Sequence, residues 1–466
     1  MNILMACSEV APIVKHTAQG DMAVALAKTL SRLEHKVTIA LPRFPAVEEA
    51  GLMLARRLTP LRLGNVEATL FDARLGSGVE LMVIDVPGLF DDGAAPREGD
   101  MPSARRYGLY CRAIAELVTR KAKSGATFDV VHAHDWPTAL VPFLLKEANV
   151  RTVLTIHDAA QQGRFDKSAI DEVGLRWDDF HPDGLEFHGS LSFLKAGVLT
   201  AHSVVAVSPS YADELRKPAT GLGLDGVFRA RSESFVGILN GIDYAQWSPA
   251  IDAHLVARYD AEDVGNKGRC KASLLRELDL PLEPERPLFV FLGPIDEKHG
   301  SDVLMRALGT IVKSDAQVVI AGEGEPAMVK AVEDATASLP GDALYIGPAS
   351  DPLVHRLIAA ADGVLVPSRY EPCGSWQQCA QRYGAAPIVH AAGGLRDTVV
   401  DCDAHLETGT GFVFDELTPD ALANAVARAV AAMRTPRWAV LRRRMMRLDM
   451  SWERPARRYA RLYQGS

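Results

Sequence analysis

The sequence lacks the cysteine pairs that metal-binding knuckles and disulfide frameworks require. Its six cysteines are scattered along the chain, and no two of them have C-x-x-C spacing. Small secreted folds and zinc knuckles use clustered cysteines to compensate for a small core. The spacing therefore indicates neither kind of fold, and the expected location is the cytoplasm.

Long hydrophobic runs are also missing. The N-terminus is apolar from Ile3 but reaches Ser8 and Glu9 after only five such residues, and no basic residue precedes them. A secretory signal needs an apolar region of about 7 to 15 residues, and a membrane-spanning helix needs about 20. We therefore expect neither a secretory leader nor a membrane anchor.

The chain has no excess of positive charge. It contains 51 Lys and Arg residues against 59 Asp and Glu residues, which gives a formal net charge of -8. Non-specific binding to nucleic acid depends on surplus Lys and Arg that displace counterions from phosphates. The charge balance thus argues against nucleic acid as a partner.

What the chain does have is the composition of an ordinary globular protein and a repeated strand-helix rhythm. Its 466 residues are 48% hydrophobic, and at roughly 100 to 200 residues per domain two or three domains are expected. Apolar runs without polar alternation indicate strands buried on both faces, as in parallel sheets covered by helices. In the first part of the chain the predicted strands are 2–6, 37–41, 81–84, 130–133, 152–156 and 204–207, and the predicted helices are 21–33 and 138–147.

The rhythm restarts after a proline-rich segment at 281–287, which is a plausible boundary between domains. The strands predicted behind it are 288–292, 318–321, 343–346, 364–366 and 387–389, with helices at 301–312, 326–337, 352–361 and 376–384. The final stretch, 421–462, is predicted to be helical and rich in arginine. The sequence therefore predicts two doubly wound α/β domains, whose ligands would bind at the carboxyl ends of the strands.

Three segments that follow strands of the first domain carry chemistry. In the strand-turn-helix segment 6–21, Lys15 and Gly20 would lie near a helix N-terminus that favours an anion, although a purely structural turn fits equally well. His132 and His134 lie on one side of a strand, which makes a metal pair one interpretation. No third ligand is evident, and we expect these residues and His157 to hydrogen-bond a polar substrate or to be structural.

A comparable cluster follows the predicted strand 364–366 in the second domain. Glu371 could hold a ligand hydroxyl there, and Gly374 and Ser375 open a helix whose backbone amides could hold a phosphate. Any one of these features is common, but their concentration at strand ends favours a binding site.

These motifs, taken in order, resemble those of bacterial glycogen synthases, the retaining transferases of glycosyltransferase family 5. The resemblance extends over nearly the whole chain and rests on 8–12 with Lys15, 132–136, 155–157, 162–165, 192–197, 223–226, 239–243, 367–374 and 393–398. It implies two Rossmann-like domains of the GT-B type that face each other across a cleft, and a helical C-terminal tail. It also implies transfer of glucose from ADP-glucose to an α-1,4-glucan, with no cofactor and no metal.

The resemblance assigns domains and roles to residues of this chain. It implies an acceptor-side domain, 1–245, to which the last helix, about 447–466, returns, and a donor-nucleotide domain, 246–446. The implied catalytic residues are Glu371, His157 and Lys15. The implied donor-binding residues are Lys15, Gly20, Asp21, Asp135, Asn240, Lys298, His299, Gly374 and Ser375.

The chain departs from the family pattern where the donor diphosphate would bind. The family's Lys-Thr-Gly-Gly-Leu loop reads Lys-His-Thr-Ala-Gln at 15–19, and the positions of a diphosphate-binding Arg and Lys hold Pro294 and His299. A small hydroxyl residue is replaced by Trp376, and an aromatic position by Ala349. Three hypotheses follow: a transferase with weak activity, a glucan-binding or regulatory pseudoenzyme, and a transferase that uses another nucleotide sugar.

Overall fold

The computed structural model describes residues 1–465 and divides into two compact units. Unit 1 comprises Met1–Asn240 and the chain from Trp452 onward, and unit 2 comprises Gly241–Ser451. The boundaries expected from the sequence, after 245 and after 446, lie within a few residues of these positions. Among residues 1–465, no helix is long and apolar enough to cross a lipid bilayer.

Unit 1 is built on one large sheet and one small one. Its strands are β1 (Asn2–Ala6), β2 (Lys36–Pro42), β3 (Ala55–Arg56), β4 (Leu61–Leu63), β5 (Val66–Arg74), β6 (Glu80–Asp85), β7 (Val130–His134), β8 (Arg151–Ile156), β9 (Arg164–Phe165), β10 (Glu186–Phe187), β11 (Ser190–Ser192), β12 (Ser203–Ala206) and β13 (Phe235–Gly237). Its helices before the boundary are α1 (Ala18–Arg32), α2 (Pro45–Glu49), α3 (Met101–Lys123), α4 (Asp135–Thr138), α5 (Leu140–Leu144), α6 (Ala169–Val173), α7 (Phe193–Thr200), α8 (Pro209–Leu215) and α9 (Asp225–Ala230).

The parallel strands of unit 1 are wound in two directions from β1. They lie in the order β6-β2-β1-β7-β8-β12-β13, and every neighbouring pair is parallel. Their interiors are apolar and buried, as β1 and β8 illustrate, because helices cover such sheets on both faces. This order reverses direction between β1 and β7, which is the topological switch point of a doubly wound sheet.

Unit 1 differs from the sequence prediction at an antiparallel strand and at the helix after β7. Strand β5 extends the sheet by pairing antiparallel with β6, and its buried and exposed residues alternate instead of forming an apolar run. The helix expected at 138–147 is instead the two short helices α4 and α5. Pro142 has no N–H to donate to the carbonyl of Thr138, so a continuous helix is disfavoured there.

Unit 2 contains a single parallel sheet of six strands. Its strands are β14 (Leu288–Leu292), β15 (Gln317–Ala321), β16 (Ala343–Tyr345), β17 (Gly363–Val366), β18 (Ala386–His390) and β19 (Phe412–Phe414). Its helices are α10 (Lys267–Glu277), α11 (Ser301–Lys313), α12 (Pro326–Ala337), α13 (Asp351–Ala360), α14 (Trp376–Arg382), α15 (Gly393–Thr398), α16 (Pro419–Met433) and α17 (Trp438–Met446). The spatial order β16-β15-β14-β17-β18-β19 has its switch point between β14 and β17.

Alternate residues of β14 belong to two separate cores. Phe289 and Phe291 pack in one cluster with residues of α11, α16 and α17, whereas Leu288, Val290 and Leu292 pack in another with residues of α10, α13 and α14. A strand that buries both of its faces in this way belongs to a sheet that is covered on both sides. The doubly wound prediction is therefore confirmed for unit 2.

The arginine-rich C-terminal stretch is not one continuous helix. After α16 and α17, the chain makes a turn at which the carbonyl of Met450 accepts a hydrogen bond of 2.8 Å from the amide of Ile242. Helix α18 (Glu453–Gln464) then returns to unit 1, where it buries Tyr459 and Tyr463. The breaks follow from Pro436 after α16 and from the turn before α18.

Candidate active site

In each unit, the residues predicted to bind substrate follow strands at or next to the switch point, except for Asn240, which follows β13 at the end of the large sheet. Open α/β sheets bind ligands outside the carboxyl ends of their strands, at the position where the strand order reverses. In unit 1 the relevant loops follow β1, β7 and β8, and in unit 2 they follow β14 and β17.

The loop after β1 is held by the buried carboxylate of Glu9. This carboxylate accepts hydrogen bonds from the amides of His16, at 2.5 Å, and Thr17, at 2.8 Å, and from the Thr17 hydroxyl. Thr17 also caps α1 by accepting from the amide of Gln19. An internal carboxylate thus occupies the backbone donors of a loop for which the sequence suggested a bound anion.

Lys15 projects from this loop and remains partly exposed. Its Nζ lies 2.9 Å from Oδ2 of Asp21, and 46% of the Lys15 side chain is exposed. Gly20 lies under the loop, where a Cβ atom would lie 3.3 Å from both the amide nitrogen of Ala11 and the carbonyl oxygen of Val14. The structure therefore brings Lys15 and Asp21 together, and an anionic ligand would have to compete with Asp21 for the ammonium group.

An open cavity of about 310 Å³ adjoins Lys15. Its lining combines polar and apolar side chains, among them His16, Phe44, Glu49 and Asp92. Phe44 lines the cavity although the residue is almost fully buried.

Asp135 follows β7 directly and has a left-handed backbone, with φ of 54°. Its Oδ1 atom accepts hydrogen bonds from the amides of His157, at 2.6 Å, and Asp158, at 3.3 Å. Desolvation raises the pKa of the Asp135 carboxyl well above its usual value, and the two amides only partly offset that effect. Strained backbone of this kind persists where the surrounding structure determines it, often at functional sites.

Three histidines gather at the ends of β7 and β8. The rings of His132 and His134 are 4.1 Å apart between centroids, and Nδ1 of His134 lies 3.2 Å from Nε2 of His157. Desolvation lowers the pKa of His132 and of His157 to about 3 and lowers that of His134 well below its usual value. All three rings are therefore neutral near pH 7.

Both ring nitrogens of His132 form hydrogen bonds within the protein. Its Nδ1 lies 2.8 Å from the hydroxyl of Tyr463, and its Nε2 lies 2.7 Å from Oγ1 of Thr155. The hydroxyl of Tyr459 lies 3.2 Å from the same Thr155 oxygen. Within residues 1–465, no group of three or more His, Cys, Asp or Glu side chains has an arrangement that could hold a metal ion.

In unit 2, the loop after β17 brings Glu371, Gly374 and Ser375 to the N-terminal end of α14. Oε2 of Glu371 accepts a hydrogen bond of 3.1 Å from the hydroxyl of Ser368, and its carbonyl oxygen accepts one of 3.0 Å from the amide of Gly394. Gly374 has φ of 70°, and a Cβ there would lie 2.5 Å from Oε1 of Gln377. The loop is thus fixed from two sides, and only glycine fits comfortably at 374.

The loop after β14 carries Pro294, Lys298 and His299. His299 is held by Asp296, whose Oδ1 lies 2.8 Å from both the amide nitrogen and Nδ1 of His299. The Lys298 ammonium lies over the Tyr370 ring, 4.7 Å from its centroid. Both groups that could act as cations in this loop therefore already contact their own neighbours.

Some of the surrounding residues were not singled out from the sequence. Glu9 fixes the Lys15 loop, and Tyr459 and Tyr463 reach β7 and β8 from a helix more than 300 positions away in the chain. Arg369 forms a two-pronged ion pair with Asp302, at 2.6 and 2.8 Å. Glu9 lies in the segment 8–12, which carries part of the family resemblance, but nothing local in the sequence signals the tyrosine contacts.

Comparison with known proteins gives two family matches along the chain. Residues 2–230 match the starch synthase catalytic domain, and residues 278–437 match the glycosyl transferases of group 1. The solved catalytic domain of starch synthase IV from Arabidopsis thaliana, bound to ADP and acarbose, is 28% identical, with a TM-score of 0.90 over 100% of this chain and 98% of that one. Sucrose-phosphate synthase from Thermosynechococcus elongatus shares the fold, with 18% identity and a TM-score of 0.63 over 100% of this chain and 98% of that one. These matches define a glycosyltransferase with two Rossmann-like units of the GT-B type.

Full-length relatives narrow the class further. A glycogen synthase of Thioalkalivibrio sulfidiphilus is 40% identical, and one of Anaeromyxobacter sp. strain Fw109-5 is 41% identical, each over 99% of both chains. The chain therefore belongs to the glycogen and starch synthase family of glycosyltransferases.

Proposed function

We propose that this chain is a retaining glucosyltransferase that extends an α-1,4-glucan, such as glycogen, with glucose from ADP-glucose. The observation that carries the proposal is the position of Glu371, Gly374 and Ser375 in the loop after β17, at the switch point of unit 2. ADP as the nucleotide is supported by the starch synthase neighbour that binds ADP and acarbose.

In the proposed reaction, a hydroxyl of the glucan attacks the anomeric carbon of the donor glucose. The new glycosidic bond forms on the face from which ADP departs, so the configuration at that carbon is retained, and the proton of the attacking hydroxyl passes to the departing diphosphate oxygen. Glu371 and His157 hold the transferred sugar, and Asp135 keeps the loop after β8 in place through the amides of His157 and Asp158. Gly374 and Ser375 offer backbone amides near the diphosphate, and Asn240 follows β13 as a further polar contact to the donor.

The leaving diphosphate gathers negative charge, which fixed donors must stabilise. Removing one such donor typically costs about 2.7 to 4 kcal/mol, or ~10²- to 10³-fold in rate. In this chain Lys15, Lys298 and His299 are the candidates, and Pro294 offers neither a charge nor an N–H. Because each of these three side chains contacts an internal partner, we expect a slower reaction than in a site with free cations.

We also propose a cytoplasmic location. All six cysteines are buried as free thiols. Free thiols persist in reducing compartments, whereas secreted proteins commonly pair theirs.

The test is product formation. Purified protein is incubated with radiolabelled ADP-glucose and glycogen, and incorporated glucose is compared with that of a Glu371→Ala variant. We expect incorporation at least about tenfold above the variant, because losing a hydrogen bond between the sugar and a charged group costs about 1.5 kcal/mol or more. Equal incorporation by the two proteins would overturn the proposal.

Two other functions are kept as alternatives because of the altered diphosphate loop. The pairing of His299 with Asp296 and the presence of Pro294 favour a glucan-binding or regulatory pseudoenzyme. Trp376 and Ala349 would favour a different nucleotide sugar. Competition among ADP, UDP and GDP for the protein separates these alternatives: tightest binding of UDP or GDP indicates another donor, and glucan binding without nucleotide binding indicates a pseudoenzyme.

A further inference from the structure

His134 contacts the predicted sugar-binding histidine from the neighbouring strand. It is the last residue of β7, it is fully buried, and its Nδ1 lies 3.2 Å from Nε2 of His157. The family resemblance gives roles to Asp135 and His157 but none to His134. The contact raises the question of what His134 does for its neighbour.

The ring of His134 is held in a fixed position. Its amide donates a hydrogen bond of 2.7 Å to Oγ1 of Thr138, and that hydroxyl donates one of 2.9 Å back to the carbonyl of His134. The ring of His132 lies against it and is itself fixed at both nitrogens by Tyr463 and Thr155. His134 therefore has little freedom to turn away from His157.

Because both rings are neutral, the bond between them has one donor and one acceptor, and two assignments exist. If His157 donates from Nε2, His134 carries its proton on its own Nε2. If His134 donates from Nδ1, its Nε2 is a bare acceptor. That Nε2 atom is buried and has no hydrogen-bond partner among residues 1–465.

The unpartnered Nε2 atom discriminates between the two assignments. Buried N–H groups without an acceptor are rare in proteins, because the donor has lost its bond to water without replacement. The assignment that avoids such a group places the proton of His134 on Nδ1. His157 then accepts at Nε2 and must carry its own proton on Nδ1.

We propose that His134 is a positioning residue that fixes His157 in the Nδ1–H tautomer, so that His157 offers a hydrogen-bond donor to an oxygen of the substrate sugar. This inference rests on the proposed function for the identity of the ligand. The tautomer itself does not depend on that function. A neighbour that fixes the second nitrogen of a histidine is a common way of selecting which nitrogen bears the proton.

The direct test is the tautomer of His157 in the unliganded wild-type protein. Nitrogen-15 NMR of histidine-labelled protein at pH 7 distinguishes a protonated ring nitrogen from a bare one, and the His157→Gln variant identifies the His157 signals. We expect the proton on Nδ1 and a bare Nε2. A proton on Nε2 overturns the proposal, whether or not the protein transfers glucose.

A second test measures what the contact contributes to substrate binding. His134→Phe keeps a ring but cannot donate, and His134→Asn keeps a donor near the position of Nδ1. We expect His134→Phe to lower kcat/KM about 5- to 10-fold, the usual value of one hydrogen bond, and His134→Asn to recover most of that loss. His202→Asn, at the opposite end of β8, is the matched control and should change kcat/KM less than about twofold.

The two tests together separate the inference from the function on which it rests. An equal loss in the Phe and Asn variants means that His134 acts through packing alone, and this overturns the proposal. If His134→Phe does not fold, the wild-type tautomer still decides the matter. An inactive wild type with the Nδ1–H tautomer would contradict the proposed function but leave the role of His134 intact.

Discussion

The switch-point edges of the two units share a strand order but carry different chemistry. In unit 1 the side chains after β7 and β8 are neutral histidines and an aspartate held by backbone amides. In unit 2 the segments that follow β14 and β17 carry charged groups in contact with one another, as in the pair between Arg369 of the loop after β17 and Asp302 at the start of α11. The same backbone topology therefore provides two kinds of surface.

The difference shows what topology decides and what it leaves to side chains. The reversal of strand order determines where an open sheet can receive a ligand. Whether that ligand is a neutral sugar or an anionic diphosphate depends on the charges placed there, because an anion needs fixed positive groups or free amides. We expect the edge of unit 1 to favour hydroxyl groups, with Lys15 as its cation.

The largest effect should come from removing that cation. Lys15→Ala removes the partly exposed ammonium group of the loop after β1. We expect kcat to fall ~10²- to 10³-fold, because the charge on the leaving group is no longer compensated. The matched control is Lys36→Ala, whose lysine is 64% exposed and lies 3.6 Å from Glu80. If kcat of Lys15→Ala changes by less than about threefold, Lys15 does not stabilise the diphosphate, because losing even a weak charge-assisted contact would lower kcat by more than that.

The loop of unit 2 can be tested through its stability. Gly300 has φ of 76°, and a Cβ there would lie 2.0 Å from the carbonyl oxygen of Pro367. The left-handed backbone and the clash together predict a loss of about 3 kcal/mol for Gly300→Ala in urea unfolding. Gly309→Ala, in the open interior of α11, should instead gain about 0.5 to 1 kcal/mol. Equal stability of the two variants would contradict the tight packing of the loop after β14 against the residue that follows β17.

Two cations can be restored to the loop after β14. In Pro294→Arg with His299→Lys, both positions regain a permanent charge, and we expect kcat with ADP-glucose to rise about tenfold. This gain is smaller than the loss in Lys15→Ala because Asp296 remains available to pair with the new ammonium at position 299, and coupled groups are seldom additive. ADP binding without any rise in transfer would favour the pseudoenzyme.

A last prediction concerns pH and the buried histidines of unit 1. The pKa of His132 and of His157 falls from 6.5 to about 3 on folding, so between these values the unfolded chain binds protons that the folded protein does not. Stability should therefore fall as pH drops through this window, by about 1.4 kcal/mol per pH unit for each such histidine.

The contribution of His132 to that slope can be isolated by urea unfolding at several pH values. We expect His132→Gln to reduce the slope by up to about 1.4 kcal/mol per pH unit. Tyr463→Phe is the control, because it removes the hydrogen bond to the ring but keeps the titrating histidine. An unchanged slope in His132→Gln would show that this ring takes up its proton equally in the folded and unfolded states.

Much of the fold could be predicted from the sequence, because buried parallel strands leave a clear signal. The strand at Leu288–Leu292 and the helix at Pro326–Ala337 have the bounds that their apolar patterns predict. Strand β5 and helix α3 were not predicted. The former pairs antiparallel with its neighbours and lacks a continuous apolar run, and the latter carries many charged residues among its buried ones.

The candidate site was predictable only in part. Lys15, Asp135, His157 and Glu371 follow strands, and a strand end is readable in the sequence. The partners that restrain these groups come from distant segments, as with the contact between Tyr463 and His132. Such contacts depend on where the C-terminal helix α18 packs on unit 1, and no local sequence pattern encodes that position.

Glucan extension is tested most directly on a single maltooligosaccharide. Purified protein is incubated with ADP-glucose and one oligosaccharide of defined length, and the products are separated by mass spectrometry. We expect a ladder of products longer by one or more glucose units, which the Glu371→Ala variant forms at least about tenfold more slowly. An acceptor that keeps its original length, in a protein that is folded and binds ADP, would contradict the proposed transfer of glucose.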